Sequence, residues 1–283
     1  MPDRSGSSLT TGARLVAGLI LYLMVVGFAS AALTAKSDST TLAPDEIGSA
    51  TAECGKRSGA VSGGFRNPGF DYLSETDTAI WGFASKRDGD GAVTATGHNE
   101  GQASGELIAY AYCGRAGRGL TTKSNSSPLE FGEQRSATAR CKRGSRVVWG
   151  GFEMTPATNL PLLPLGSSRE GRRRWTASGT TYGDDPATLK VFAYCQRSGP
   201  PLTQARRSTM LGNDEAGSAT AKCERGTEAV AGGFFAPGGF STGGGSEIYF
   251  YESRRVRERK WRASGLNQGD PARLTAYAYC AET

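Results

Sequence analysis

The chain contains three copies of one sequence frame, and this repetition limits the folds that are open to it. Each copy begins with Ser-Ala-Thr-Ala-x-Cys, continues with Gly-Gly-Phe, and closes with an apolar run that ends in a second Cys. The opening cysteines are Cys54, Cys141 and Cys223, and in each copy the first Gly of the pair follows nine residues later. A period of 82–87 residues kept this closely indicates one structural unit used three times.

The residues inside the frame predict an all-β fold. The chain holds 40 glycines and 12 prolines, and no 3.6-residue apolar period appears after residue 35. Such a glycine content among Val, Ile, Tyr, Phe and Thr favours short strands joined by tight turns. We therefore expect three disulfide-closed β repeats. They could form a pseudo-threefold arrangement like a β-prism or three tandem small β-sandwiches.

The repeats begin earlier than their cysteines suggest. Leu33-Thr34, Leu120-Thr121 and Leu202-Thr203 each lie 21 residues before the first Cys of their copy. The Ser- and Thr-rich residues that follow resemble flexible spacers in composition, but spacers have no reason to keep a fixed length. We interpret them as a first strand. The predicted units are residues 32–119, 120–201 and 202–283.

The N-terminal segment, residues 1–31, has the layout of a secretory signal peptide. Arg4 and Arg14 flank a short polar region, Leu15–Phe28 is apolar and uncharged, and Ala29-Ser30-Ala31 offers the small residues that a signal peptidase accepts. The alternative is an uncleaved membrane anchor over residues 15–35, which are enough to cross a bilayer. Cleavage is favoured because the first repeat begins without a spacer. We expect a secreted protein, or an extracytoplasmic domain if the anchor stays.

The six cysteines predict three disulfides and an oxidising compartment. Pairing inside each copy repeats three times, whereas other pairings break the symmetry. The predicted bridges are Cys54–Cys113, Cys141–Cys195 and Cys223–Cys280. A metal site is not expected, because no CxxC spacing occurs and His98 is the only histidine. No cofactor is predicted.

The sequence offers no convincing catalytic residues. His98 is matched by Thr180 and Leu266 in the other copies, which favours a solvated surface residue. Asp184-Asp185-Pro186-Ala187 matches Asp270-Pro271-Ala272, and Asp-Pro commonly begins a turn. A carboxylate-dependent polysaccharide hydrolase that uses Asp185 or Asp270 is the enzymatic alternative. Asp88-Gly89-Asp90-Gly91 resembles part of a calcium loop but lacks the later ligands.

Basic residues give one candidate binding surface. The formal net charge is +6, and the basic runs lie at matching places in two repeats, before a Trp. Strand alternation would place Arg255, Arg257 and Arg259 on one face. Such a row could bind phosphates or sulfates of a polyanion; the alternative is an edge strand protected by charge. The candidate polyanion-binding residues are Arg172, Arg173, Arg174, Arg255, Arg257 and Arg259.

The residues shared by all copies are typical of a scaffold. The Gly pair suggests a bend or a tight contact, with Phe65, Phe152 and Phe234 in the core. Trp175 and Trp261 stand where the first copy has Val93, which indicates core filling. The closing strands carry tyrosines whose buried hydroxyls need partners. Recognition is expected in the unshared middle segments, 67–78, 155–165 and 236–246.

Two resemblances follow from these motifs. The Ala-Thr-Ala-x-Cys opening, the Gly-Gly-Phe strand and the Tyr-Ala-x-Cys close resemble uncharacterised secreted triple-repeat β proteins of actinobacteria. Gly151-Phe152 and the run from Asp184 to Cys195 are similar, more loosely, to vitelline membrane outer layer protein I. That likeness implies a three-sheet β-prism and an extracellular role, associated with glycans.

The leading functional hypothesis is therefore a secreted, non-catalytic binding or cell-envelope-associated protein. Its expected partner is an extracellular glycan or an anionic cell-wall polymer. Nucleic acid is not expected for a secreted chain. A structural coat component without a ligand is a further alternative.

Overall fold

The protein was analysed as a computed structural model, which describes residues 33–71, 78–155, 162–182, 186–237 and 246–283. The predicted signal peptide, residues 1–31, lies outside the described residues, and so do Asp184 and Asp185. Within the described ranges the chain forms eighteen strands, one short 3-10 helix and no α-helix. The all-β prediction is confirmed.

Each repeat forms six strands in the same order. The first repeat contains β1 (Thr34–Leu42), β2 (Ile47–Glu53), β3 (Gly59–Arg66), β4 (Ile80–Asp88), β5 (Ala92–Asn99) and β6 (Gly105–Gly114), followed by the 3-10 helix (Arg115–Gly119). The second contains β7 (Thr121–Leu129), β8 (Arg135–Arg140), β9 (Ser145–Thr155), β10 (Leu162–Glu170), β11 (Arg174–Thr181) and β12 (Ala187–Arg197). The third contains β13 (Thr203–Leu211), β14 (Glu215–Lys222), β15 (Thr227–Phe235), β16 (Ser246–Arg257), β17 (Lys260–Gly269) and β18 (Ala272–Glu282). The Ser- and Thr-rich segments are thus strands β1, β7 and β13, as expected.

The strands form three six-stranded sheets, and each sheet is shared by two repeats. The 1/3 sheet has the order β1-β6-β3-β16-β17-β14, the 1/2 sheet β2-β5-β4-β9-β12-β7, and the 2/3 sheet β13-β18-β15-β10-β11-β8. Every repeat gives its first, third and sixth strands to one sheet and its second, fourth and fifth to another. Repeats 1 and 2, repeats 2 and 3, and repeats 3 and 1 each share one sheet, so the three sheets close a cycle. The repeat is therefore a unit of sequence, whereas each sheet is built from two repeats.

The strand directions define two ends of the molecule. In the 1/3 sheet, Thr34 lies opposite Cys113 and Leu42 lies opposite Gly105, and the other two sheets repeat this register. All six cysteines therefore lie at one end, which we call the disulfide end. The connections after the first, third and fifth strands of each repeat lie at the opposite end, which we call the loop end.

The three predicted disulfides are present, and each one joins two different sheets. The first cysteine of each repeat follows a strand of one sheet, whereas the second lies in a strand of the next sheet. The pairs are Cys54–Cys113, Cys141–Cys195 and Cys223–Cys280. Because every sheet is bonded to both others, the cycle of shared sheets is also closed covalently.

The two glycines of each Gly-Gly pair allow close contact with two different neighbours. A Cβ on Gly232 would collide with the indole of Trp261, and a Cβ on Gly233 would collide with the carbonyl oxygen of Ser167. The first glycine therefore admits a core side chain from the same repeat, and the second admits a strand from the neighbouring repeat. The phenylalanine that follows is buried in all copies, and Phe234 meets Phe65 and Phe152 at ring distances of 6.3 and 5.6 Å.

In each sheet a buried tryptophan packs against a buried tyrosine, but this tryptophan does not always come from the same strand. Trp261 packs against Tyr112 at 5.6 Å, and Trp175 packs against Tyr279 at 5.4 Å. In the 1/2 sheet the fifth strand offers only Val93, and Trp149 of β9 contacts the tyrosine instead. The Trp149 and Tyr194 rings are 5.0 Å apart. The valine is thus compensated by a tryptophan from the other repeat that shares the sheet.

Candidate functional site

One arginine on the fourth strand of each repeat binds a tyrosine of another repeat. The guanidinium groups lie 5.0–5.4 Å from the tyrosine ring centres, and the backbone N–H of the same arginine donates to the tyrosine hydroxyl at 2.6–2.7 Å. The pairs are Arg87 with Tyr194, Arg169 with Tyr279, and Arg255 with Tyr112. The expected hydroxyl partner of each buried tyrosine is therefore a backbone amide. Burial raises the pKa of all three tyrosines well above its usual value.

These arginines also hold the start of a repeat in place. Arg87 donates to the carbonyl of Gly117 at 2.7 Å, Arg169 to that of Leu202 at 2.8 Å, and Arg255 to that of Leu33 at 3.0 Å. All three carbonyls belong to the segments that precede the first strand of a repeat. The sequence signal was available, since Ser-x-Arg recurs as Ser85 to Arg87, Ser167 to Arg169 and Ser253 to Arg255. Sequence reasoning missed it.

Arg255 is thus a structural residue, which corrects its assignment to a solvent-facing binding row. Its side chain is 9% exposed and is paired with Glu228, whose side chain is 5% exposed. The alternation that would have aligned it with Arg257 is interrupted by a β-bulge between the two residues. Arg259 lies beyond the end of β16, in the turn before β17. The predicted row of three arginines on one strand face does not form.

The remaining candidate arginines lie in hairpin turns at the disulfide end. Arg172 and Arg173 belong to the turn between β10 and β11, and Arg174 begins β11 and pairs with Glu170 at 2.9 Å. The Arg173 carbonyl accepts the N–H of Cys141 at 2.8 Å. In the third repeat the Arg259 carbonyl accepts the N–H of Cys223 at 2.9 Å. The turn backbones thus hydrogen-bond the cysteines that form two of the disulfides.

Charge is strongly segregated between the two ends of the molecule. In the described turns and strand ends of the disulfide end there are thirteen exposed basic side chains and seven exposed acidic ones. The basic ones are Lys56, Arg57, Arg115, Arg118, Arg140, Lys142, Arg143, Arg172, Arg174, Arg197, Lys222, Arg225 and Arg257, and the acidic ones are Glu53, Asp88, Asp90, Glu170, Glu224, Glu258 and Glu282. Three repeats contribute to this surface, which we call the basic end.

The loop end carries the opposite charge. Its exposed acidic residues in the described ranges are Asp45, Glu46, Asp71, Glu106, Glu130, Asp214, Glu215 and Asp270, and its exposed basic residues are Arg135 and Arg273. The basic runs in the sequence predicted local basic patches. The two ends differ in charge because the topology brings the basic turns of all three repeats to one end. Much of the unshared middle segments lies outside the described residues.

The other chemical candidates have ordinary structural surroundings. His98 is half-buried on β5, with its Nδ1 atom 3.4 Å from Oε1 of Glu100. Asp270 is exposed in the turn before β18, and its carbonyl accepts from the Nδ2 of Asn267 at 2.9 Å. Asp90 lies in the β4–β5 turn beside Arg87. Among the described residues no group of three His, Cys, Asp or Glu side chains could hold a metal ion.

Comparisons with known proteins do not place this chain in a family. No protein-family model matches it, and a search of curated proteins finds no significant match. Within the described ranges, no helix has both the length and the apolar character needed to cross a membrane. The three disulfides indicate an oxidising environment.

Proposed function

We propose that the protein is a secreted, non-catalytic binding protein whose basic end holds an anionic polymer of the cell envelope. The observation that carries the proposal is the segregation of charge, with thirteen exposed basic and seven exposed acidic side chains at the disulfide end and mainly acidic side chains at the other. A surface of one sign attracts a polymer of the opposite sign and orients the molecule upon it. The arginine side chains suit carboxylate and phosphate groups, which they bind through paired hydrogen bonds.

A cell-wall polymer is a better partner than a compact ligand for this surface. The basic side chains come from turns of all three repeats, so they are spread across an end of the molecule and do not line a pocket. A chain with regularly spaced anionic groups can contact several of them at once, and each contact releases counterions. Binding should therefore weaken steeply as the salt concentration rises.

The test compares two variants with the same charge change at opposite ends. Arg172→Gln with Arg257→Gln removes two exposed arginines from the basic end, whereas Arg135→Gln with Arg273→Gln removes two from the loop end. Binding to purified anionic wall polymer is measured by sedimentation at several salt concentrations. We expect the first variant to bind more weakly. The slope of log K against the logarithm of the salt concentration should also be shallower, by about 0.7–0.9 for each arginine that no longer neutralises an anionic group. The loop-end variant should match the wild type.

Three outcomes would refute the proposal. Equal weakening in both variants would show that only net charge matters. Binding that does not respond to salt would exclude the basic end as the contact. Preference for anionic lipid vesicles over the wall polymer would assign the surface to a membrane.

A further inference from the structure

The outer face of the 1/3 sheet contains a polar cavity of about 270 Å³. Its floor is a row of side chains that cross four strands, from Arg66 on β3 through Glu252 on β16 and Ser264 on β17 to Ser218 on β14. Arg262 on β17 lies in the adjacent row and also lines it. The cavity faces away from the core, because the alternate residues of these strands pack inward.

Two arginines of this cavity form no salt bridge with a carboxylate of the described residues. Arg66 and Arg262 make no ion pair with any other residue of the described ranges. The buried carboxylate of Glu252 is already engaged, with Oε1 2.7 Å from Nε of Arg254 and Oε2 accepting the Ser264 hydroxyl at 2.7 Å. The cavity is therefore suited to an anionic group.

An aromatic wall closes one side of the cavity. The rings of Phe70 and Tyr251 are stacked, with their centres 4.1 Å apart and an angle of 2° between the planes. Tyr251 is the extra residue of a β-bulge between Phe250 and Glu252, which brings its ring beside the polar row. The site thus combines an apolar wall, two guanidinium groups and hydroxyl or carboxylate acceptors, which are the usual parts of a small-molecule site.

The other two sheets have the same backbone arrangement without this chemistry. Their corresponding rows are Glu153, Ala84, Thr96 and Ser49 in the 1/2 sheet, and Phe235, Gly166, Ser178 and Ser136 in the 2/3 sheet. Threonines, Thr94 and Thr176, occupy the positions that match Arg262. The bulged residues there are Phe83 and Leu165. Since the fold forms twice without the arginine pair, the fold does not require it.

We propose that this cavity binds a single sugar residue that carries a carboxylate, as in a hexuronate. Its volume is at the lower edge of the range for small-molecule sites, about 300–1,000 Å³, which fits one sugar ring. Arg66 and Arg262 bind the carboxylate, the Phe70–Tyr251 wall contacts the apolar side of the ring, and the exposed Ser218 contacts a hydroxyl group. The site is independent of the basic end, because its residues lie on a sheet face.

The experiment measures binding of glucuronate and of its neutral parent, glucose, by calorimetry. We expect the wild type to prefer glucuronate. Arg66→Gln and Arg262→Gln should each weaken glucuronate binding at least tenfold, because each removes a charge-assisted hydrogen bond. Arg262→Lys keeps the positive charge but not the paired N–H donors of the guanidinium, so it should weaken glucuronate binding less than Arg262→Gln does. Arg273→Gln is the matched control, since Arg273 is exposed on the 2/3 sheet.

Four results would overturn the proposal: no binding of glucuronate at millimolar concentration, equal binding of glucose, unchanged affinity in both cavity variants, or equal loss in the Arg273 control. Thermal unfolding of each variant, with a midpoint near that of the wild type, shows that lost binding is not lost folding. Polymer binding by the basic end should be unchanged in the cavity variants. Failure of one site therefore leaves the other hypothesis separately testable.

Discussion

Replacing Arg255 with Gln should destabilise the whole protein, although the sequence alone marks this residue as a surface arginine. The guanidinium contacts the carboxylate of Glu228, the carbonyls of Leu33 and Ala229, and the ring of Tyr112. These groups belong to the first and third repeats. Arg255 therefore stabilises the contact between the first and third repeats, which share the 1/3 sheet.

The magnitude follows from what the substitution leaves behind. The Glu228 side chain is 5% exposed, and without Arg255 its carboxylate keeps, among the described residues, the N–H of Leu33 at 3.3 Å as its hydrogen-bond donor. Removing one partner of a buried ion pair costs about 3–5 kcal/mol, because the remaining charge stays buried. For a protein of this size about 2–4 °C of melting temperature corresponds to each kcal/mol. The midpoint should therefore fall by roughly 6–20 °C.

Thermal unfolding with the disulfides intact measures the fall of the melting temperature, and urea unfolding measures the lost free energy of unfolding. Arg257→Gln is the matched control, because Arg257 is exposed two residues away and should change the stability by less than about 0.5 kcal/mol. Adding Glu228→Gln to Arg255→Gln should restore part of the loss, since it removes the unpaired charge. Wild-type stability in the Arg255→Gln variant, or equal effects of the two arginine substitutions, would refute the role derived from the structure.

Three further predictions concern the core. Gly232→Ala should cost about 1–3 kcal/mol in urea unfolding, because the new Cβ collides with Trp261. Ser253→Ala should cost about 1–3 kcal/mol, because it removes the hydroxyl oxygen that accepts the Trp261 Nε1–H at 3.1 Å. Ser85→Ala should be neutral or stabilising, because the Ser85 hydroxyl has no hydrogen-bond partner in the described ranges. Burial raises the pKa of three tyrosines above the ordinary value of about 10, so the stability that they contribute is complete below that pH and is lost as the pH rises above it. These tyrosines are Tyr112, Tyr194 and Tyr279.

Each of these predictions has a clear contrary result. Gly55 has open space around its Cβ position, so Gly55→Ala is the control for Gly232→Ala, and equal costs would contradict the packing explanation. A larger loss from Ser85→Ala than from Ser253→Ala would show that the indole bond is not the relevant contact. A urea midpoint that stays constant from about pH 9 to pH 11 would contradict the tyrosine contribution.

The two proposed sites differ in how far the sequence could have found them. The basic turns were visible as Arg172 to Arg174 and Arg257 to Arg259, although their union into one charged end depends on the topology. The cavity on the 1/3 sheet was not visible, because Arg66 and Arg262 belong to different repeats and are 196 positions apart in the sequence. Only the pairing of β3 with β16 and of β16 with β17 brings them to one surface.

The sequence by itself determined the β class, the repeat and its strands, and the disulfide pairs. These properties depend on local composition, on turn residues and on a threefold symmetry that can be read along one chain. The Gly-Gly-Phe motif likewise predicted a bend or a tight contact and a core aromatic ring, and the tight contact and the buried ring are present.

Only the tertiary structure decided which repeats share a sheet, and with that the role of several side chains. Sheet sharing depends on contacts between residues far apart in sequence, and identical frames give no local signal for choosing one neighbour over another. Arg255 therefore resembled a surface residue until the third repeat was placed against the first. For the same reason the sequence did not show that Trp149, from the other repeat of the 1/2 sheet, packs against Tyr194, where the fifth strand offers only Val93.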